Sequence, residues 1–358
     1  MSNLLDYIHW RGDISFAAVP VHAVDALILS ELAMCRWELG LRERESAPLD
    51  EIPLLEQGEP VSAGFCEGND RKLLDTLRTG ERFGKVHLSD YVCETDDVTE
   101  KQFAAMAFQL ADGSCFVAFR GTDRTLVGWK EDCNMAFTRT VPAQEAARDY
   151  LARIAEKHPG PLYVGGHSKG GNLAMFAAAT IDASVRERIL AVYNFDGPGL
   201  SDLIDAPALY ARLTRRLHSF VPQGSIVGLL LAHPDTFTVV KSSGIGFLQH
   251  DPYTWQVDGP HFLQLESLSS ESVRFDFAFR KWIDGLDEAQ RAEFVDTLFG
   301  ILSASKAQVF GKEFWISLAQ NTKSVRAALS QVDPETRRRI NRMIADFGKL
   351  AMLPHPET

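Results

Sequence analysis

Short apolar runs alternate with longer amphipathic stretches through the middle of the chain. Residues 102–110 and 114–120 read as two strands joined by Asp112-Gly113, a dipeptide that favours a hairpin turn. Residues 143–157 carry apolar positions at helical spacing and stop at His158-Pro159-Gly160. A β-type run at 161–164 comes next, then an alanine-rich helical run at 173–180, then strand-like runs at 189–195, 219–222 and 236–240. Strands alternating with helices predict a mostly parallel sheet with crossover helices packed on it. The two ends differ. Leu4, Leu5, Ile8 and Trp10 precede a turn at Arg11-Gly12-Asp13, an apolar helical run spans 24–35, and 71–77 reads as a short amphipathic helix. Beyond 266, Phe275, Phe279, Trp282 and Ile283 recur at helical spacing, as do Phe294, Leu298, Ile301 and Leu302, and 308–318 and 334–350 continue the pattern. The expected organisation is one α/β domain over 1–265, with a helical or loop segment at 1–100 and the core at 101–265. A helical extension at 266–358 packs on that core, with a lid as the alternative use.

The strand at 161–164 and the helix at 173–180 bracket Gly166-His167-Ser168-Lys169-Gly170, which fits the G-x-S-x-G nucleophile elbow in the strand–turn–helix context it requires. A serine on so sharp a turn needs neighbours without Cβ, and the amides that open the following helix favour a developing oxyanion. The competing reading is a glycine-rich turn with a capping serine, or a phosphate loop, although no G-x-x-x-x-G-K-[ST] occurs. A hydrolase takes one oxyanion donor from the residue after the nucleophile, here the Lys169 amide. It takes the other from the loop after an earlier strand, here Gly121-Thr122. Thr122 could donate its amide and its hydroxyl, or could be an ordinary turn residue.

A serine nucleophile needs a histidine base and an acid to orient it, in the chain order serine, acid, histidine. Downstream lie His218, His233, His250, His261 and His355. His355 is in a tail and His218 precedes a strand. His250 comes after the last clear strand, where a base belongs, with His233 and His261 in reserve. No Asp or Glu occurs from 217 to 234, the common place for the acid. One strand earlier, Asp196 follows Asn194-Phe195 and precedes glycine. It is the chosen acid, against a turn-capping role or a base held by Ser225 or water. His167 is read as structural, and Lys169 as contributing its amide rather than its side chain.

Composition narrows the field further. The 358 residues carry a formal net charge of −11, and no basic stripe stands out, which excludes a general nucleic-acid binder. The run Arg337-Arg338-Arg339 with Arg342 reads as a solvated helix face. Five cysteines without a C-x-x-C pair suit reduced thiols, with Cys115 in the core. No signal peptide and no apolar run of membrane-spanning length is visible, so a cytoplasmic location is expected. No cofactor or metal is expected.

Several stretches together resemble an uncharacterised bacterial family of lipase-like α/β-hydrolases. They are Asn3-Leu4-Leu5-Asp6-Tyr7 with Trp10-Arg11-Gly12-Asp13, Phe119-Arg120-Gly121-Thr122-Asp123, and Val127-Gly128-Trp129-Lys130-Glu131-Asp132. The elbow, Asn194-Phe195-Asp196-Gly197, Ser225-Ile226-Val227-Gly228 and Gln249-His250-Asp251-Pro252 belong to the same pattern. More distantly the chain is similar to the class 3 lipases, except that Ser225 stands where their acid is expected. The resemblance implies an α/β-hydrolase fold and an esterase-like serine hydrolase with Ser168, Asp196 and His250 at its centre. Thr122 and Lys169 would form the oxyanion hole, and the substrate would be a small-molecule ester or an acyl lipid. An acyltransferase or thioesterase would use the same residues, and a non-catalytic binding module on this fold is the remaining alternative.

Overall fold

The computed structural model describes residues 2–38, 41, 45–53, 59–234, 236–303, 321, 327–328 and 330–351. The helices are α1 (Leu4–Arg11), α2 (Ala23–Leu32), α3 (Glu67–Leu77), α4 (Glu81–Gly84), α5 (Leu126–Asn134), α6 (Pro142–Lys157), α7 (Lys169–Thr180), α8 (Ala183–Arg186), α9 (Ala206–Ala211), α10 (Ser270–Asp284) and α11 (Glu288–Ser303), followed by the helix Pro334–Ala351. The strands are β1 (Ser46–Pro48), β2 (His87–Asp96), β3 (Lys101–Gln109), β4 (Cys115–Phe119), β5 (Leu162–His167), β6 (Ile189–Phe195), β7 (Leu217–Pro222), β8 (Thr238–Val240), β9 (Val257–Asp258), β10 (His261–Phe262) and β11 (Gln264–Leu265).

Among the described residues a nine-stranded sheet runs β1-β2-β3-β4-β5-β6-β7-β8-β11. β4 to β8 pair in parallel, while β1, β2 and β3 on one edge and β11 on the other are antiparallel. This is an α/β-hydrolase fold: a parallel central sheet, helices on both faces, and a strand–turn–helix at the middle strand. Strand register sets the height at which each strand ends. Phe119 pairs with Gly166, His167 with Phe195, and Phe195 with Phe220. The C-terminal ends of β4, β5 and β6 are therefore level, so Gly121-Thr122, Ser168 and Asp196 emerge side by side at the edge where open α/β sheets bind ligands.

Successive side chains of a strand point to opposite faces, and the sheet separates two buried clusters accordingly. From β4, Phe116 and Ala118 join the residues of α1, α2 and α3, with Phe16 and Trp255. Cys115, Val117 and Phe119 join those of α6 and α7.

Residues 1–100 differ from the expected helical or loop segment. Residues 87–96 form β2, a full strand of the central sheet, with a bulge between Ser89 and Val92 where Asp90 takes φ +55°. The far half of β2 is exposed, so its residues do not alternate cleanly and the strand carries little signal. On the C-terminal side, α10 pairs with Pro334–Ala351, where Trp282 Nε1 donates to the Met343 carbonyl at 2.9 Å. α11 meets α5 through Lys130 and Asp296, 2.9 Å apart. The helix expected at 308–318 lies outside the described residues. Among the described residues no helix is long and apolar enough to cross a membrane, and no group of three or more His, Cys, Asp or Glu side chains is arranged to hold a metal ion.

Candidate active site

Ser168 sits between β5 and α7 with φ +57° and ψ −134°, a conformation that is costly for any residue bearing a Cβ. The turn exists because its neighbours leave space. A Cβ on Gly166 would run into the backbone of Gly170, and one on Gly170 into the Phe119 carbonyl. The Ser168 amide donates to the Phe195 carbonyl at 2.9 Å, and the Gly171 amide donates to the Ser168 carbonyl at 2.9 Å. The Ser168 side chain makes no capping bond to α7, which removes the reading of a helix-capping serine.

Asp196 follows β6 with φ +49° and is fully buried. Its Oδ2 lies 2.6 Å from His250 Nδ1. Its Oδ1 accepts from the Ser225 hydroxyl at 2.5 Å and from the Gly228 amide at 3.1 Å. Ser225 thus supports the carboxylate instead of replacing it. A carboxylate that accepts from Nδ1 fixes the histidine tautomer and leaves Nε2 as the basic nitrogen. Two contacts pin this region from outside: Ser272 at the start of α10 donates its hydroxyl to the Ser225 carbonyl, and the Gly224 amide donates to Gln249 Oε1 at 2.9 Å.

His250 closes a one-turn 3-10 segment, Gly246–His250. Its ring lies near that of His167, with centroids 4.6 Å apart, and that of Phe247, 5.7 Å away. His250 is therefore beside the elbow. The reserve histidines go elsewhere: His233 meets Phe237 and His261 meets His22. His218 is inside β7, stacked on Tyr193, and His355 lies outside the described residues.

The turn after β4 abuts the elbow, for a Cβ on Gly121 would lie 3.4 Å from the Ser168 Cβ and 2.9 Å from the His167 carbonyl. Thr122 Oγ1 donates to Asp132 Oδ2 at 2.5 Å. That commits the hydroxyl proton and leaves the Thr122 amide as the available donor. The Lys169 side chain, expected to play no part, is buried in a charge cluster. Its Nζ donates to the Gln102 carbonyl at 3.0 Å and to Glu131 Oε2 at 2.5 Å, and lies 3.6 Å from Asp132 Oδ1. Glu131 also accepts from the Gln102 and Ala143 amides at 2.9 and 2.8 Å. Burial pushes the Asp132 carboxyl up to about 6, against the opposing pull of Lys169 and Thr122.

His167 is not a bystander. Its Nε2 is 2.9 Å from the His250 carbonyl oxygen and its Nδ1 is 3.0 Å from Glu31 Oε1. Sequence reading missed Glu31, Gln102 and the side-chain role of Lys169. A signal was present for two of them. Glu31 is an acid inside an apolar helical run, and Lys169 is a charge inside a segment otherwise made of small and apolar residues. Each implies a buried partner.

Residues 77–300 match the Mbeg1-like family. No curated protein matches the chain. Among solved structures, lipase II from Rhizopus niveus is 16% identical over 43% of this chain and 67% of its own, with a TM-score of 0.33. The lipase from Rhizopus microsporus var. chinensis is 17% identical over 51% and 74%, with a TM-score of 0.35. A fungal lipase–inhibitor complex is 17% identical over 60% and 75%, with a TM-score of 0.38.

Proposed function

The chain belongs to the Mbeg1-like family, and from that premise we propose that it is a serine hydrolase that cleaves a carboxylic ester through an acyl-enzyme on Ser168. One observation carries the reading: Asp196 Oδ2 and His250 Nδ1 are 2.6 Å apart, beside a serine held in a strained elbow. His250 Nε2 takes the Ser168 proton as Oγ attacks the ester carbonyl, and Asp196 steadies the imidazolium that forms. The Lys169 and Thr122 amides hold the oxyanion. Collapse expels the alcohol with the proton from His250. Water then enters, gives its proton to His250 and releases the acid, restoring Ser168. His250 is part-exposed, and Ile245, Phe247 and Leu248 in its turn are exposed apolar side chains. These favour an ester with an apolar acyl or alkyl portion.

Labelling with a fluorophosphonate probe tests the proposal. Wild type is expected to label, Ser168→Ala not at all, and His250→Ala and Asp196→Asn at least roughly a hundredfold more slowly. Folded wild type that does not label would return the chain to the binding-module reading. Full labelling of Asp196→Asn would remove Asp196 as the acid.

A further inference from the structure

His167 precedes the nucleophile, and both of its ring nitrogens face acceptors. Nε2 lies 2.9 Å from the His250 carbonyl oxygen. A carbonyl can only accept, so Nε2 carries a proton. Nδ1 lies 3.0 Å from Glu31 Oε1, at ion-pair distance but off the line of a regular hydrogen bond. A carboxylate at that distance favours the protonated, charged form of the ring. The pair is buried, with 11% of the His167 side chain and 4% of the Glu31 side chain exposed.

The groups facing this ring are Glu31 from α2, Asp196 from the end of β6, and His250 and Asp251 from the turn that carries the base. Burial disfavours a cation at His167. The Glu31 carboxylate, reinforced by Asp196 and the His250 carbonyl, outweighs it and holds the group above the ordinary histidine value.

The base needs such a support. The turn Gly246–His250 points outward, with Ile245 83% and Leu248 69% exposed. What fixes it comes from inside. Trp255 Nε1 donates to the Gln249 carbonyl at 2.8 Å, and the His167 ring bonds the His250 backbone while lying against one face of the His250 ring. The Phe247 ring lies 5.7 Å from the His250 ring, centroid to centroid.

We propose that Glu31 holds His167 as an imidazolium, and that His167 is a positioning residue that carries the base, tying the His250 backbone to the elbow and backing its ring. The assignment rests on the reading of His250 as the base. It also gives the N-terminal segment a part in the site, since Glu31 lies on α2, outside the residues that match the family.

Nitrogen-15 NMR of histidine-labelled full-length protein reads the charge directly. At pH 7.5 both ring nitrogens of His167, identified by their loss in His167→Gln, are expected in the protonated range. In Glu31→Gln one of them becomes unprotonated. On a soluble ester, Glu31→Gln is expected to lower kcat roughly ten- to a hundredfold with KM nearly unchanged, the signature of a misplaced base. A neutral His167 in wild type overturns the imidazolium, and that arm needs no variant to fold. Wild type that labels at Ser168 while Glu31→Gln keeps full kcat overturns the positioning role alone. Wild type that never labels overturns the hydrolase reading and the positioning role with it, while the NMR arm still decides the charge.

Discussion

Ser168 holds a backbone conformation that residues with a Cβ avoid, and it can do so because Gly166 and Gly170 let β5, α7 and β4 close around it. That requirement is local, so the motif is readable in the sequence. Asp196 is a different case. Aspartate before glycine is common turn chemistry, and only the register of β6 against β5 and β7 brings it level with Ser168. Ser225, which looked like the mark of a missing acid, is a donor to that carboxylate. Buried acids behind the site also leave a measurable trace. Burial, with the nearby Glu31 charge, pushes the Asp70 carboxyl up to about 7. Between about pH 4 and pH 7 the folded chain therefore keeps a proton on Asp70 that the unfolded chain has released. The stability this group contributes falls as pH rises through that window and is flat above it. Urea unfolding of Asp70→Asn and wild type is expected to shift in the variant's favour by up to about 4 kcal/mol from pH 4 to pH 7.5. No such shift would mean that Asp70 is ionised throughout.

At the scale of elements, α2 holds its place through charge as well as apolar packing. Asp25 accepts from Arg82 Nη2 at 2.6 Å and from the Tyr7 hydroxyl at 2.8 Å, and both side chains of the Arg82–Asp25 pair are fully buried. Arg82 also donates to the carbonyls of Ile14, Val19 and Pro20, so the Arg82–Asp25 pair joins α1, α2, α4 and the loop between the first two. Removing one partner of a buried pair strands the other. Arg82→Met is expected to cost roughly 3–5 kcal/mol in denaturant unfolding; a loss under about 1 kcal/mol, the range of exposed pairs, would show that the site is wetter than its burial implies. Strand β2 carries the complementary lesson. Its bulge at Asp90 and exposed far half hide the period that a strand normally shows, and pairing with β3 over its length compensates. α6, β5 and α7 were readable because they are regular and their neighbours in space are also their neighbours along the chain.

At the scale of the molecule, one face of the sheet is covered by α1, α2 and α3 and the other by α6 and α7. Most of the first cover lies before residue 77, ahead of the stretch that matches the family. A chain beginning at residue 77 would lose Leu4, Phe16, Leu27 and Leu73 from the buried cluster and would leave Arg82 without Asp25. It is expected to aggregate or to melt without a cooperative transition in calorimetry. A sharp transition from residues 77–358 would show instead that the matched region folds alone. Local rules sufficed for the alternation of strands and helices, the elbow at Ser168, and the loops that carry Asp196 and His250. Such features depend on residues a few positions apart, where glycine placement, turn chemistry and helical spacing act directly. The Lys169–Glu131–Asp132 cluster, the His167–Glu31 pair and the strand at β2 depend on segments far apart in sequence. A buried charge announces that it needs a partner, but which partner it meets is set by strand register and by which helix covers which face of the sheet.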